Sequence, residues 1–541
     1  MAYEKGIPDY ALQPARAPQR TKAEATYKKE KITYPKETKV SIYQIEEDIL
    51  VPDSKGDMGE ILYVEGTCSV IPMEKKVASK TDEDVSLSGS ISLQILYLEE
   101  GKEKNPVPMN AKLTYKYTWS LGITEQVDIY FSCRIKSLEY LIVNERKLRV
   151  KISLEFTAQV FCLQEMYFFT GLKDDSLELK KKEIPLSYLS LVKREQVTID
   201  ESFECKDSGI TPAQICKNSF TIVENYRQVT TEKIVINGFL FVHLIYMGNG
   251  DELGEVSLCN CEERLEFTQF IPLEKSQRGK KWSGVRTVFS SNDLQVVIKE
   301  DSEGQGCPVF HVEGNIYTRV ELYEEQMAPL IVDAYHKEKG FSCQYEDCSM
   351  THMGQSAVSE VTFRELVHLP EGSSAESGVC CTTTLKEENY RVEKGKVQIE
   401  GAVQSNCVWK DRLGYFHGIA IQSNFQTSVD LDGLEREMEV RCRCQIKSSW
   451  ITVINEKQLE VHYTILFSCE SYEDRAFTLM TEPFYLDDIV EKTYPLIIVN
   501  VQRGESTWDL AKRYRVSEDQ LRRINHLEQD PKAGDKLILM K

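Results

Sequence analysis

One stretch of this chain occurs twice, as Cys133-Arg-Ile-Lys-Ser-Leu-Glu-Tyr-Leu-Ile-Val-Asn-Glu-Arg-Lys-Leu-Arg-Val150 and as Cys444-Gln-Ile-Lys-Ser-Ser-Trp-Ile-Thr-Val-Ile-Asn-Glu-Lys-Gln-Leu-Glu-Val461. Eight of the eighteen positions are identical without a gap. In both stretches apolar alternation flanks a polar centre that begins with Asn-Glu, which is typical of a hairpin turn because Asn tolerates positive φ. The pair predicts one β-hairpin in two copies of one domain.

A second repeat extends this interpretation to a third copy. A glycine is followed eight residues later by an aromatic residue inside a strand-like run at three places, Gly89/Tyr97, Gly238/Tyr246 and Gly401/Trp409. Spaced recurrence of this kind indicates tandem copies of one structural unit. We therefore predict a mainly β protein with three tandem β-rich domains, sandwich or barrel-like, at residues 38–170, 193–333 and 356–480.

The first 37 residues show no apolar period of either strand or helix. They contain Pro8, Pro14, Pro18 and Pro35 among Ala, Gln, Lys and Arg residues. Such a composition buries too little apolar surface to offset the entropy of ordering the chain. We expect residues 1–37 to form a flexible basic tail.

Composition limits the possible partners and compartment. The 541 residues carry a formal net charge of −19, which argues against nucleic acid as the main partner because phosphate binding needs a basic surface. The N-terminal residues contain no apolar signal segment, and no run of roughly 18 apolar residues predicts a transmembrane segment. The 16 cysteines are irregularly spaced. We therefore expect a cytoplasmic chain whose cysteines are free thiols.

Residues 494–541 change to a strand, helix, helix, strand pattern. Ser506 with Asp509 resembles a capping box, and Ser517 with Gln520 matches its full form. Apolar side chains follow at the spacing of one helix face. These features predict a small βααβ domain whose helices have their own caps, so that it needs nothing from the rest of the chain to fold.

This last segment resembles the LysM domain. The family pattern, a Gly-Asp-Thr-Leu-Trp turn, an Asn that ends the second helix and a final Gly-x-x-Leu strand, becomes Gly504-Glu-Ser-Thr-Trp508, Asn525 and Gly534-Asp-Lys-Leu537. The resemblance implies a shallow groove that binds N-acetylglucosamine polymers. Its walls would be Gly504, Glu505, Ser506 and Thr507 on one side and Asn525, His526, Leu527 and Glu528 on the other.

The sequence departs from the sugar-binding pattern at Glu505 and Thr507. The groove is thus interpreted as a site for either a protein partner or a glycan. Trp508 and Asn525 are interpreted as core filler and as the cap of the second helix.

The first copy resembles the SPOCS domain of spore-forming Firmicutes. That domain carries an Asp-Ile-x-Val-Pro-Asp-x-Lys-x-Asp entrance, here Asp48-Ile-Leu-Val-Pro-Asp-Ser-Lys-Gly-Asp57, then an Ile-Leu pair and a Gly before a strand that ends in Tyr. SPOCS domains joined to a C-terminal LysM domain resemble clostridial spore coat morphogenetic proteins. The resemblance implies a scaffold in the mother cell, at the forespore surface, that partners the coat basement-layer ATPase, stage IV sporulation protein A.

No catalytic residue is predicted, since the sequence lacks a phosphate-binding loop, a His-Glu-x-x-His motif and a nucleophile elbow. The spacing of Cys343, Cys348 and His352 would suit zinc with a fourth ligand, but unrelated loop residues are the favoured interpretation, and no metal or cofactor is expected. The leading hypothesis is a non-enzymatic scaffold of the endospore coat. The alternatives are a protein that binds peptidoglycan of the wall or cortex and an unrecognised wall hydrolase.

Overall fold

The protein is described here from a computed structural model that covers residues 20–77, 84–101, 105–123, 127–205, 210–249, 256–291, 293–299, 308–486 and 495–540. Long antiparallel strands make up nearly all of these residues, and two short α-helices lie near the C-terminus. The prediction of a mainly β protein with a small helical end is confirmed.

Copy one is a two-sheet sandwich. After a short strand, β1 (Arg20–Lys22), its strands are β2 (Ala25–Leu50), β3 (Met58–Cys68), β4 (Glu74–Val77), β5 (Asp84–Glu99), β6 (Pro106–Ser120), β7 (Val127–Asn144) and β8 (Lys147–Leu172). One sheet has the order β3-β5-β6 and the other β2-β8-β7-β4. Their facing sides share one core, to which Ile91, Phe131 and Phe156 contribute fully buried side chains.

Copies two and three repeat this order of strands. Copy two consists of β9 (Leu177–Phe203), β10 (Thr211–Val229), β11 (Lys233–Asn249), β12 (Val256–Pro272), β13 (Trp282–Ser290), β14 (Gln295–Lys299) and β15 (Val309–His336). Copy three consists of β16 (Gly340–His368), β17 (Ser377–Glu393), β18 (Lys396–Lys410), β19 (Phe416–Asp430), β20 (Glu439–Asn455) and β21 (Gln458–Leu486). Each has a three-stranded sheet, β10-β11-β12 or β17-β18-β19, and a second sheet built on β9 and β15 or on β16 and β21.

The predicted hairpins are present in copies one and three, but the role of Asn differs from the prediction. Asn144 pairs with Lys147 and Asn455 with Gln458, so each turn has two residues. Neither Asn is at positive φ. Instead, Asn144 Oδ1 accepts a hydrogen bond from the Arg146 N–H at 3.0 Å. Asn455 does the same for the Lys457 N–H at 2.9 Å, so each side chain closes its own turn.

The glycine of the glycine/aromatic repeat lies on the central strand of each three-stranded sheet, opposite an aromatic residue. Gly89 pairs with Tyr115, Gly238 with Phe267 and Gly401 with Phe425. A Cβ at Gly401 would lie 2.6 Å from the Phe425 ring, so the ring needs a glycine beneath it.

In copies one and three the aromatic residue of the repeat holds the polar segment that precedes the three-stranded sheet. The Tyr97 hydroxyl donates to Gly56 O at 2.9 Å, and Trp409 Nε1 donates to Ser374 O at 3.1 Å. The repeat therefore corresponds to the same packing arrangement in copies one and three.

Each copy sends a two-stranded ribbon out of its sandwich. The ribbons are β2 with β8, β9 with β15 and β16 with β21, and each bulges opposite an equivalent aromatic residue, Phe161, Tyr323 or Tyr472. A bulge bends a strand and increases its twist. Beyond the bulges the ribbons meet in one apolar cluster that contains Ile32, Met166, Leu186, Leu330, Met350 and Leu479. The segments 171–192 and 334–355, which lie between the predicted domain bounds, therefore belong largely to these ribbons.

A buried arginine joins the three copies. Gln159, Glu321 and Glu470 are equivalent positions, each two residues before the aromatic residue at the bulge. Arg286 of β13 donates to Gln159 Oε1 at 3.0 Å, to Glu321 Oε1 at 3.4 Å and to Glu470 at 2.9 Å. One guanidinium thus binds all three copies at their common centre.

The prediction of a flexible tail is wrong for residues 20–37, while residues 1–19 lie outside the described part. Residues 20–22 pair with β21, and β2 starts at Ala25 and pairs with β8. Pro35 is tolerated because it lies at the bulge of an edge strand, where no ladder hydrogen bond from its nitrogen is required. Ile32 is 1% exposed and packs among the three ribbons.

We expect Ile32→Ala to lower the free energy of unfolding by about 2 kcal/mol, because it leaves a cavity in the shared cluster. Val40→Ala on the same strand is the matched control, since Val40 is 56% exposed. Denaturant unfolding of both full-length variants measures the difference. Equal, small losses would show that this part of β2 does not stabilise the ribbons.

The prediction that the cysteines are free thiols is wrong for one pair. Cys205, just after β9, forms a disulfide with Cys261 of β12. Free thiols among the described residues include Cys68, Cys133, Cys381, Cys407, Cys442 and Cys469. The spacing of the cysteines along the chain could not indicate this pair. Cys205 follows a strand of one sheet of copy two, and Cys261 lies in a strand of the other sheet, so the two meet only in the folded domain.

Candidate functional site

The LysM-like segment forms the predicted βααβ unit. Its elements are β22 (Leu496–Asn500), α1 (Thr507–Tyr514), α2 (Glu518–Ile524) and β23 (Lys536–Met540), and β22 pairs with β23. The first capping box is confirmed, since Ser506 Oγ accepts from the Asp509 N–H and Asp509 Oδ2 accepts from the Ser506 N–H at 2.9 Å. The second is wrong, because Ser517 makes no side-chain cap and Gln520 turns towards Met540 O instead.

Thr507 ties the first predicted groove wall to Asp530, just beyond the second wall. Its side chain is fully buried, and its hydroxyl and N–H both donate to Asp530 Oδ1. Arg522 also donates to Asp530, at 2.9 Å. The hydrogen bond from Thr507 is the main cause that lowers the pKa of Asp530. Thr507 is therefore a buried anchor and cannot contact a partner, contrary to its predicted place on the groove surface.

Asn525 and Leu527 are also occupied within the domain. Asn525 Nδ2 donates to Leu521 O and Ile538 O, and its Oδ1 accepts from the Ile538 N–H at 2.7 Å. These bonds tie the end of α2 to β23, which fits the predicted capping role. Leu527 packs against the domain core.

The other groove residues differ in how much they expose. Glu505 is held by the Gln502 N–H and by Arg513, and the Gln502 hydrogen bond is the first cause that lowers the pKa of Glu505. His526, at φ 50°, and Glu528 are exposed, as is Gly504 at φ 86°. The groove thus offers Gly504, His526 and Glu528 to a ligand, while most of its remaining polar atoms already have partners.

The domain does not stand apart from the rest of the chain. Trp508 is buried and lies edge-on to Tyr335 of β15, with ring centroids 4.9 Å apart. Trp508 Nε1 donates to Asp333 Oδ2 at 2.8 Å, and Lys512 pairs with Asp333 at 2.6 Å. The Tyr335 hydroxyl donates to Val516 O at 2.6 Å. The domain core therefore includes a residue of copy two, which contradicts the prediction that it needs nothing from the body.

The outer side of the β22–β23 sheet is an apolar face that the sequence analysis did not identify. It consists of Leu496, Ile498, Ile538 and Met540, which are 54%, 62%, 40% and 44% exposed. Leu496 pairs with Met540 and Ile498 with Ile538, so the four side chains form one patch. The sequence contained a signal for this face. A strand with one buried side alternates apolar and polar residues, whereas β22 is apolar at four successive positions, so both of its sides are apolar.

The metal-binding pattern considered in the sequence is not assembled. Within the described ranges no group of three or more His, Cys, Asp or Glu side chains is placed to hold a metal ion, so Cys343, Cys348 and His352 do not form such a group. All three belong to β16, an extended strand that separates their side chains. Among the same residues no helix is long and apolar enough to cross a membrane.

Comparison with known families finds both domains, although the SPOCS match falls in copy three and the resemblance in the sequence was drawn from copy one. Residues 375–454, in copy three, match the family described as SipL, SPOCS domain, and residues 499–539 match the LysM domain. Neither the curated proteins nor the solved structures contain a match to this chain. Both matched domains are binding domains rather than catalytic ones. Copies one and two are related to the SPOCS match through the internal repeats.

Proposed function

We propose that this chain, which joins a SPOCS domain to a LysM domain, is a non-enzymatic adaptor of bacterial endospore coat assembly. In this proposal it acts in the mother-cell cytoplasm at the forespore surface. Its LysM domain docks to a coat morphogenetic partner, the coat basement-layer ATPase (stage IV sporulation protein A). The three copies hold that domain at a fixed place.

The observation that carries the proposal is the apolar face of the LysM sheet. Leu496, Ile498, Ile538 and Met540 present adjacent branched and thioether side chains to solvent. Contiguous exposed apolar surface is characteristic of protein interaction sites. A protein partner would bury such a face, whereas a hydrated sugar polymer needs polar contacts.

The contact between the LysM domain and β15 supports the role of the three copies. Asp333 accepts from both Trp508 and Lys512, and Tyr335 packs on the Trp508 ring. These contacts involve both a buried aromatic pair and a charged group. These contacts would hold the LysM domain in one orientation relative to copy two.

The alternative function is binding of peptidoglycan or another N-acetylglucosamine polymer. The LysM match favours it, since that family typically binds such polymers. Gly504, His526 and Glu528 remain exposed in the groove and would supply the contacts. The two candidate surfaces share no exposed side chain, so substitutions can distinguish them.

We expect Ile498→Glu to weaken capture of the purified coat ATPase by roughly 10- to 100-fold, as for a buried contact of about 1.4–2.7 kcal/mol. Surface plasmon resonance with the full chain measures this. Val358→Glu is the matched control, because Val358 is 64% exposed on β16 and lies outside the LysM domain. His526→Asp should leave capture unchanged.

Pelleting with insoluble peptidoglycan tests the alternative on the same proteins. Loss of pelleting on His526→Asp, with ATPase capture absent from the unaltered chain, would support the glycan-binding function instead. Capture that survives Ile498→Glu with unchanged affinity would move the docking role to the SPOCS-like copies.

A further inference from the structure

Two thiols of copy one face each other across the boundary between its sheets. Cys68 ends β3 and Cys133 lies in β7, and their Sγ atoms are 3.4 Å apart. Since a disulfide bond is about 2.05 Å long, a small rotation of both side chains would bring the sulfurs to bonding distance. A bond here would join the β3-β5-β6 sheet to the β2-β8-β7-β4 sheet.

A cavity gives small molecules access to these thiols. It has a volume of about 390 Å³ between copies one and three, and Cys68, Cys133, Arg134, Glu388 and Asn406 are among its lining residues. Both thiols are half-buried rather than fully buried.

Two other thiol pairs are more enclosed. Cys381 and Cys407, with sulfurs 3.8 Å apart, are both buried. Cys442 and Cys469 have sulfurs 3.2 Å apart, and Cys469 is buried. The pair in the cavity is therefore distinguished by access and not by the sulfur separation.

The two thiols of the cavity pair differ in their hydrogen-bonding roles. The Cys68 thiol donates its hydrogen bond to Cys133 Sγ, and this bond is the main cause that lowers the pKa of Cys133. The Tyr115 hydroxyl adds to the effect, while burial opposes it. The thiolate is the nucleophile in disulfide exchange, so Cys133 reacts first.

Copy two provides a precedent within the same fold. Its disulfide, Cys205–Cys261, also joins its two sheets, because Cys205 follows β9 and Cys261 lies in β12. A link between sheets is thus compatible with this sandwich.

We propose that Cys68 and Cys133 form a dithiol modification site for low-molecular-weight disulfides that enter the cavity between copies one and three. The Cys133 thiolate attacks one sulfur of the small disulfide, forms a mixed disulfide and releases the first small thiolate. Cys68 Sγ, after losing its proton, then attacks Cys133 Sγ, and the bond that breaks releases the second small thiolate. The protein loses two electrons and two protons, and one small disulfide becomes two small thiols.

Oxidised glutathione is the probe, applied to the full chain under native conditions after gentle reduction. Peptide mapping should find a Cys68–Cys133 link that dithiothreitol removes. Cys68→Ser should stop at a stable glutathione adduct on Cys133, because the resolving thiol is gone. Cys133→Ser should slow the modification of Cys68 on the order of tenfold, because the lowered pKa of the attacking thiol is lost.

The buried pair Cys381–Cys407 is the internal control and should not react while the protein is folded. If a Cys381–Cys407 disulfide formed at the same rate as the Cys68–Cys133 disulfide, oxidation would require unfolding. That result would contradict the proposed modification site. Absence of the Cys68–Cys133 link, or equal rates of adduct formation in the two serine variants, would overturn it as well.

Discussion

Replacing Arg286 with leucine should lower the free energy of unfolding of the full chain by about 3–5 kcal/mol, the usual cost of removing one member of a buried ion pair. Arg286 is 8% exposed and binds a side chain of each copy. Arg319 still pairs with Glu321 in the variant. Glu470 keeps the Tyr472 hydroxyl but loses its arginine partner, so a largely buried carboxylate loses the positive charge of Arg286.

Denaturant unfolding followed by tyrosine and tryptophan fluorescence measures this loss. Arg264→Leu is the control, because the Arg264 side chain is 58% exposed on β12, and it should change stability by no more than about 0.5 kcal/mol. Adding Glu470→Gln to Arg286→Leu should restore part of the loss, because the two residues interact directly. Equal effects of Arg286→Leu and Arg264→Leu would mean that the central arginine does not hold the copies together.

Trp508→Ala should unfold the LysM domain within an otherwise folded chain. Truncation of a buried Trp costs about 3–5 kcal/mol, and a domain of this size has little more stability than that. The change removes the ring packed on Tyr335 and the Nε1 donor to Asp333. Hydrogen exchange of the α1 and α2 amides, read by mass spectrometry, reports the domain by itself.

Two further variants separate the packing of the Trp508 ring from its hydrogen bond and provide a control. Trp508→Phe keeps an aromatic ring but loses the hydrogen bond to Asp333, so it should cost only about 1–2 kcal/mol. Trp450→Ala is the matched control, since Trp450 is 39% exposed on β20. Unchanged exchange of the helix amides in Trp508→Ala would contradict the assignment of Trp508 to the domain core.

The local parts of the fold were predictable because their causes lie within a few residues. The turns at Asn144 and Asn455 need only a side chain that accepts from the N–H two residues on, and the repeated stretch carries it. The cap at Ser506 and Asp509 is likewise local. The glycine/aromatic repeat predicted the central strands, although the ring that requires each glycine comes from the next strand.

The ribbons and their meeting point were not predictable, since they depend on contacts between copies. Prolines led to the wrong prediction for residues 20–37, yet Pro35 occupies a bulge on an edge strand. The groove was misjudged for a similar reason. Thr507 is buried because Asp530, 23 residues further on, accepts its hydrogen bonds. Exposure in this domain is set by such distant partners.

The contacts of Arg286 imply something about how three copies came to share one chain. In an assembly of three identical subunits, an arginine at this position would occur three times around the centre and would meet its own copies. Here the equivalent positions, opposite Gln159, Glu321 and Glu470, hold Tyr130, Arg286 and Arg441. Covalent linkage lets each copy carry a different residue at this position, so Arg286 of copy two can bind a side chain of all three copies while the other two positions hold Tyr130 and Arg441.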